Sequence, residues 1–252
     1  LRILKQFNGC CFADLDLKQQ GVIEDFQLLF YIIQPPTPER VKYDIFDRVN
    51  RGGTPLNKQE MRNALYRGRC TRMLDKLCCS PEFLIATGRS INKERMKDQY
   101  VVLRAMAFLM LHRGEFKDIP ALQYRGDIDD FLARFMVYVN DNAPEKLIVD
   151  YENLFIRCMQ ISYDLLGENG FRFSGNGIRR PINMPLFEAL SYLFSFVPEK
   201  IDYTWASRLI LDIESVKEEF DDSRYFSGNI DSTTSVSFRF DRMDKIINRI
   251  QL

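Results

Sequence analysis

A single histidine, His112, occurs among the 252 residues, and that scarcity excludes more than any other count. Metal sites built on several imidazoles, and HNH-type nuclease sites with paired histidines, need at least a second one in the chain. Net charge is equally lacking, since 35 basic side chains balance 35 acidic ones. No bulk field is left to hold nucleic acid or an anionic membrane, although a local patch is compatible with that balance. The longest apolar stretch, Tyr100 to Leu111, is interrupted by Arg104 and is too short to cross a bilayer. Cysteine occurs at positions 10, 11, 70, 78, 79 and 158, never as C-x-x-C. Neither a zinc site nor a redox motif is spelled out, so the expectation is reduced, buried thiols in a cytoplasmic protein, with no metal site and no membrane partner.

What is present fits an ordinary globular chain, with 46% hydrophobic and 28% charged residues. The length predicts one core with an appended subdomain. Leu1, Ile3 and Phe7 start the chain on an alternating pattern, and Asn8-Gly9 supplies the positive φ of a tight turn. A β-hairpin is therefore expected over residues 1–15, and the opening inside a sheet pattern reads as a fragment of a longer protein. A second strand is expected from Phe26 to Gln34, where Leu28, Phe30 and Ile32 alternate before the prolines at 35, 36 and 38.

Helical spacing then takes over. Val41, Ile45, Phe46 and Val49 form one stripe, and Asn57 with Glu60 can cap and close a helix over about 58–66. Further helices are expected over about 76–86, 93–111, 128–140, 144–166, 181–196, 203–219 and 240–250. Residues 167–180 and 223–237 read as long loops. The expected fold class is α+β and predominantly helical, an α/β portion over residues 1–75 followed by an α-helical domain over 76–252.

Residues 44–68 carry the most chemistry. A diglycine bend at Gly52-Gly53 followed by a capped helix can expose backbone amides to an anion, with Asn50, Arg51 and Arg62 close in sequence. Physics alone accounts for the same segment as an ordinary helix–turn–helix corner. Residues 170–180 interleave Phe171 and Phe173 with Arg172, Arg179 and Arg180, a pattern that suits DNA or a partner, or equally a surface loop with its two rings tucked inward. Ser232 to Ser235, followed by Arg239 and Arg242, reads either as a phosphate holder or as a cap and turn. His112, at a helix end where the dipole favours a cation, and Trp205, on a stripe with Leu209 and Ile213, read as structural.

Phe46, Asn50, Gly53, Leu56, Glu60, Arg62, Asn63 and Ala64 stand at the spacing Phe-x-x-x-Asn-x-x-Gly-x-x-Leu-x-x-x-Glu-x-Arg-Asn-Ala. That string resembles the GmrS-type family, the NTP-dependent subunit or domain of GmrSD modification-dependent restriction systems. The resemblance continues weakly through residues 95–98, 124–126 and 183–188. It implies a ParB/sulfiredoxin-like portion in the α/β part, with Asn50, Arg51, Gly52, Gly53, Glu60, Arg62 and Asn63 around an NTP and Mg²⁺, and Asn50 as the contact to triphosphate or metal. It also implies an HNH-type nuclease as a separate domain or subunit, modified phage DNA as the target, and room for self-association. Two positions depart from the frame of the nucleotide-binding ParB/sulfiredoxin-like members, because Val49 stands for an acidic residue and Gly53 for an arginine. The family's Asp-Gly-Gln-Gln-Arg box is absent. Half of the phosphate site is then missing, and this chain alone is expected to hydrolyse no nucleotide and to hold no catalytic residue. The alternative is a non-enzymatic helical interaction module or a decayed remnant of such a protein.

Overall fold

Caps written into the sequence decide where most helices begin. The computed structural model describes residues 4–30, 32, 34, 37, 41, 44–46, 48, 55–174, 179–198, 200, 202–226 and 228–250. Asp16 accepts from the amide of Gln19 and opens α1 (Leu17–Glu24). Asn57 opens α2 (Lys58–Leu65), and α3 (Arg69–Cys78) follows at once. Ser80, with Pro81 in the first turn where its missing N–H costs nothing, opens α4 (Pro81–Ala86). Next come α5 (Lys97–His112), α6 (Ile128–Asp141), capped by Asp127, and α7 (Glu145–Leu166). Asn183 caps α8 (Met184–Phe194), Asp202 caps α9 (Tyr203–Asp221), and α10 (Thr233–Ile250) ends the series.

The chain divides into two units, Leu1–Ile45 and Phe46–Leu252. The first holds α1 and two short 3-10 turns, Lys5–Phe7 and Phe12–Asp14. No strand occurs among the described residues, so the fold is predominantly helical and the expected hairpin is corrected. Gly9 does turn with φ +89°, but a turn fixes only local direction, and the chain beside it closes its own 3-10 hydrogen bonds. The segment from Phe26 to Phe30 takes no regular structure, and its side chains are largely exposed. Alternation makes a strand only when a partner strand accepts its amides. Val41, residues 44–46 and Arg48 are helical, as their stripe predicts.

The second unit is arranged around α5. Residues 101–110 of that helix are all buried, because α2, α3, α6, α7 and α8 pack against it from different sides. A helix surrounded in this way has no polar face to offer. Helix α8 lies between α5 and α10, while α4 packs on α7 and α9 on α10. The helix expected over 76–86 is two helices, broken where Ser80 caps the second. The last helix starts at Thr233, not near 240, since Ser232 caps it by accepting from the amide of Ser235 at 3.1 Å. Thus the Ser/Thr-rich segment is a cap and turn.

A buried charge set crosses this core. Glu188 on α8 accepts from Arg104 on α5 and from Arg239 on α10, the latter at 3.0 Å. All three side chains are at most 1% exposed. Arg104 also donates to the Tyr100 hydroxyl at 3.0 Å and to Asp231 at 2.6 Å, and Arg239 donates to the Ile230 carbonyl at 2.5 Å. Two guanidinium groups thus meet two carboxylates, which makes the interior arrangement neutral. Arg242, the other arginine of that segment, pairs with Glu219.

His112 lies next to this set, its ring stacked on Phe240 at 3.5 Å and its Nε2 buried without a partner. Burial first, and the Arg239 charge second, lower its pKa to about 3. The helix-end cation expected at this position is therefore a neutral imidazole, because desolvation outweighs the helix dipole. Three thiols, Cys70, Cys78 and Cys158, are buried, with Cys158 pushed up to about 12 by desolvation. Cys10, Cys11 and Cys79 are exposed, which corrects the expectation that all six are buried.

Replacing Glu188 with Ala leaves two buried arginines facing each other. Urea unfolding is expected to show a loss of about 3–5 kcal/mol, whereas a loss under about 1 kcal/mol would show that the arginines relax to other acceptors. The pH response of the one imidazole follows from its lowered pKa. Unfolded His112 takes up a proton near its ordinary value of 6.5, and the folded ring refuses it until about 3. Its contribution to stability is therefore complete above 6.5 and declines as pH falls toward 3. Proton NMR of the single imidazole should show it neutral throughout that range, and a midpoint above pH 6 would contradict its burial.

Candidate anion site at the start of α2

The capping box that starts α2 also determines what this end can bind. Asn57 Oδ1 accepts from the amides of Gln59 (2.8 Å) and Glu60 (2.9 Å), while the Glu60 carboxylate accepts from the Asn57 amide at 2.6 Å. The helix-start amides of Gln59 and Glu60 are therefore taken by the cap, while the expected diglycine bend lies outside the described residues, so among the described groups an anion here is met mainly by side chains. The Arg95 guanidinium donates to Glu60 at 3.0 Å, and hydrogen bonds from Arg95 and Asn57 hold the Glu60 carboxyl below the usual carboxylate range.

Those side chains line a cavity of about 520 Å³ formed by Asn57, Lys58, Gln59, Arg62, Asn92, Glu94, Arg95, Lys97 and Tyr100. The size suits a small ligand. Four cations line it, against one carboxylate in the wall and two others, Glu60 and Asp129, paired to those cations. Arg62 is its centre. The side chain is 1% exposed, with Nε donating to Gln59 at 3.1 Å and Nη1 to Asp129 at 2.9 Å. Its guanidinium carbon lies 5.3 Å from the Tyr100 ring centre. Nη2 is buried and has no hydrogen-bond partner among the described residues. A buried guanidinium N–H without an acceptor costs about 1–3 kcal/mol, so this group is held ready for an acceptor that the described residues do not supply. Burial raises the Asp129 carboxyl, but the hydrogen bonds and charges of Lys58 and Arg62 outweigh that and leave it lowered.

The backbone beside the cavity is strained. Arg95 and Met96 both take positive φ, +57° and +58°, a conformation that costs each non-glycine residue about 1–3 kcal/mol. Asn57 Nδ2 donates to the Arg95 carbonyl at 2.7 Å and Arg95 Nη2 donates to the Pro55 carbonyl at 2.6 Å, which together pin the strained turn to the start of α2.

Of the residues singled out from sequence, Glu60 acts as cap and Arg95 partner, and Arg62 forms the cavity wall. Asn63 donates to Gln99 and to the Met96 sulfur beneath the strained turn, supporting it without lining the cavity. Asn50, Arg51, Gly52 and Gly53 lie outside the described residues. Lys58, Arg95, Lys97 and Tyr100 were not singled out as site residues, because nothing in local spacing brings residues 92–100 back to 57–62. Arg172, Arg179 and Arg180 gather around a separate cavity. Arg172 is buried there, donating to the carbonyls of Glu168, Arg180 and Thr87 and to Ser90, so its donors bind the chain itself. Phe171 and Phe173 are tucked against Phe187 and Phe226. Among the described residues no group of three His, Cys, Asp or Glu side chains is placed to hold a metal ion, and no helix is long and apolar enough to cross a membrane. No family model, curated protein or solved structure matches the chain.

Conversion of Asn57 to Ala removes the cap and the clasp on Arg95 together. The expected loss is about 1–2 kcal/mol by thermal or urea unfolding, above that of an ordinary cap, and a loss under about 0.5 kcal/mol would show that the strained turn needs no such hold.

Proposed function

We propose that this chain is a nucleotide-sensing regulatory part of a modification-dependent restriction system, and that the phosphates of an NTP are met in the cavity around Arg62. The unpartnered, buried Nη2 of Arg62 is the observation that carries the reading. Support comes from the string that resembles the GmrS-type family, since two of its members, Glu60 and Arg62, shape and line that cavity. Lys58, Arg95 and Lys97 supply further positive charge, and Tyr100 lines the same space. Mg²⁺ would arrive with the triphosphate, whose own oxygens commonly supply part of its shell. In this reading the chain binds and reports nucleotide, cleavage of modified phage DNA belongs to an HNH-type nuclease on a partner or another domain, and no hydrolysis is carried by this chain alone.

A second reading, a module that docks a protein partner without any nucleotide, is favoured by the exposure of Phe26, Leu28, Leu29 and Phe30 in the first unit, each at least 67% exposed. Nucleotide binding separates the two readings, because only a ligand of the native state raises the melting temperature. Mg-ATP or Mg-GTP at about a hundred times its Kd should raise Tm by roughly 5–11 °C. Arg62→Met should abolish that rise relative to its own ligand-free Tm. Failure of both nucleotides to shift Tm favours the docking module, and a shift that survives Arg62→Met overturns the Arg62 cavity as the nucleotide site.

A further inference from the structure

The second cavity holds a lysine where the helix pattern calls for an apolar residue. Leu209, Ile213, Val216 and Phe220 form the buried stripe of α9, and Lys217, four residues after Ile213, lies on the same face at 4% exposure. An ammonium group is costly to bury unless acceptors surround it. Lys217 Nζ donates to Glu214 at 2.9 Å and, over a longer 3.4 Å, to the Asn169 carbonyl. Its third N–H has no acceptor among the described residues, and the amine sits in the wall of a cavity of about 660 Å³.

Arg172, Arg179 and Arg180 line the same space, giving four cations against the carboxylates of Glu168 and Glu214. Arg179 pairs with Glu168 through Nη2 at 2.7 Å, and Arg180 pairs with Asp221 and covers the Phe173 ring. The Arg179–Glu168 pair lies directly over Gly88, whose φ is +58° and where a Cβ would stand 2.0 Å from Arg179 Nη2. The positive φ favours glycine at this turn, and a Cβ there would push the charged ends of that pair aside. Arg172, bonded to Thr87 and Ser90 of that turn, ties the loop after α7 to it. This rim is therefore built by three separate parts of the chain.

We infer that this cavity, separate from the one around Arg62, binds a phosphate group, with Lys217 at its floor and Arg179 and Arg180 at its rim. A tetrahedral oxyanion offers acceptors to an amine from one side and to two planar forks from others, whereas a carboxylate holds its acceptors in a single plane. The phosphate can come from a free small molecule or from a DNA backbone, and both present the same oxygens. This inference does not rest on nucleotide binding at Arg62.

Calorimetric titration of the full chain at low salt, once with inorganic phosphate and once with a short mixed-sequence DNA duplex, tests it. Lys217→Met keeps the stem and removes the amine, and Arg179→Ala removes an exposed rim donor; each should weaken binding about tenfold or more. In an Arg62→Met background, Lys217→Met and Arg179→Ala should weaken binding to the same degree, which separates this site from the proposed nucleotide site. Binding of inorganic phosphate that both variants weaken identifies a free-phosphate ligand, and binding of duplex alone, weakened likewise, identifies the backbone. Absence of binding by either probe, or binding that survives both variants, overturns the inference. Circular dichroism of each variant checks that the helices are retained.

Discussion

The packing of the central helices in the second unit depends on Glu188 standing between two arginines. Helices α5, α8 and α10 come from distant parts of the chain, and apolar packing alone would allow them to slide by a turn with little change in buried area. A carboxylate that must meet Arg104 on one side and Arg239 on the other permits only one register. The gain is specificity more than stability, since an ion pair taken out of water recovers little beyond its own desolvation. Asp231 extends the constraint to the turn before α10, and Tyr124 fastens that turn by donating to the Asp231 carbonyl.

The same constraint reaches the Arg62 cavity. Tyr100 accepts from Arg104 through its hydroxyl and presents its ring to Arg62, so the wall of the cavity is fixed by the charge set in the core. Arg62 in turn is steadied by Asp129 at the start of α6, which leaves one guanidinium edge unspent. The second cavity is supported differently. It rests on the α7–α8 loop, clasped to the turn after α4 by Arg172, and on α9, whose buried stripe carries Lys217. Rigid helices thus position both groups of cations, while the contact residues come mainly from helix ends and loops.

The legible features were local. Asn57 and Glu60 announced a capping box, and both hydrogen bonds are formed. The apolar stretch around Arg104 announced a buried helix, though not why an arginine belonged inside it, because Glu188 lies 84 positions away. Ser80-Pro81 carried a cap signal that a reading based on apolar spacing passed over, whereas the cap-and-turn alternative at Ser232 to Ser235 is the one formed. Asn8-Gly9 and the alternation at Leu28, Phe30 and Ile32 promised strands that the described residues do not form, since a strand needs a partner and none occurs among those residues. The Arg62 cavity was half legible. Its family-like string points to Glu60 and Arg62, but the strained turn at Arg95 and Met96 is a tertiary feature, held by Asn57 from 38 positions away.

The account turns on the unspent edge of Arg62. A crystal structure of the chain with a non-hydrolysable nucleoside triphosphate and Mg²⁺ tests that most directly. The prediction is phosphate density within hydrogen-bond distance of Arg62 Nη2, with Asn57 still bonded to the Arg95 carbonyl. A nucleotide seated elsewhere, with Nη2 left as it is or turned to a protein acceptor, would contradict the account.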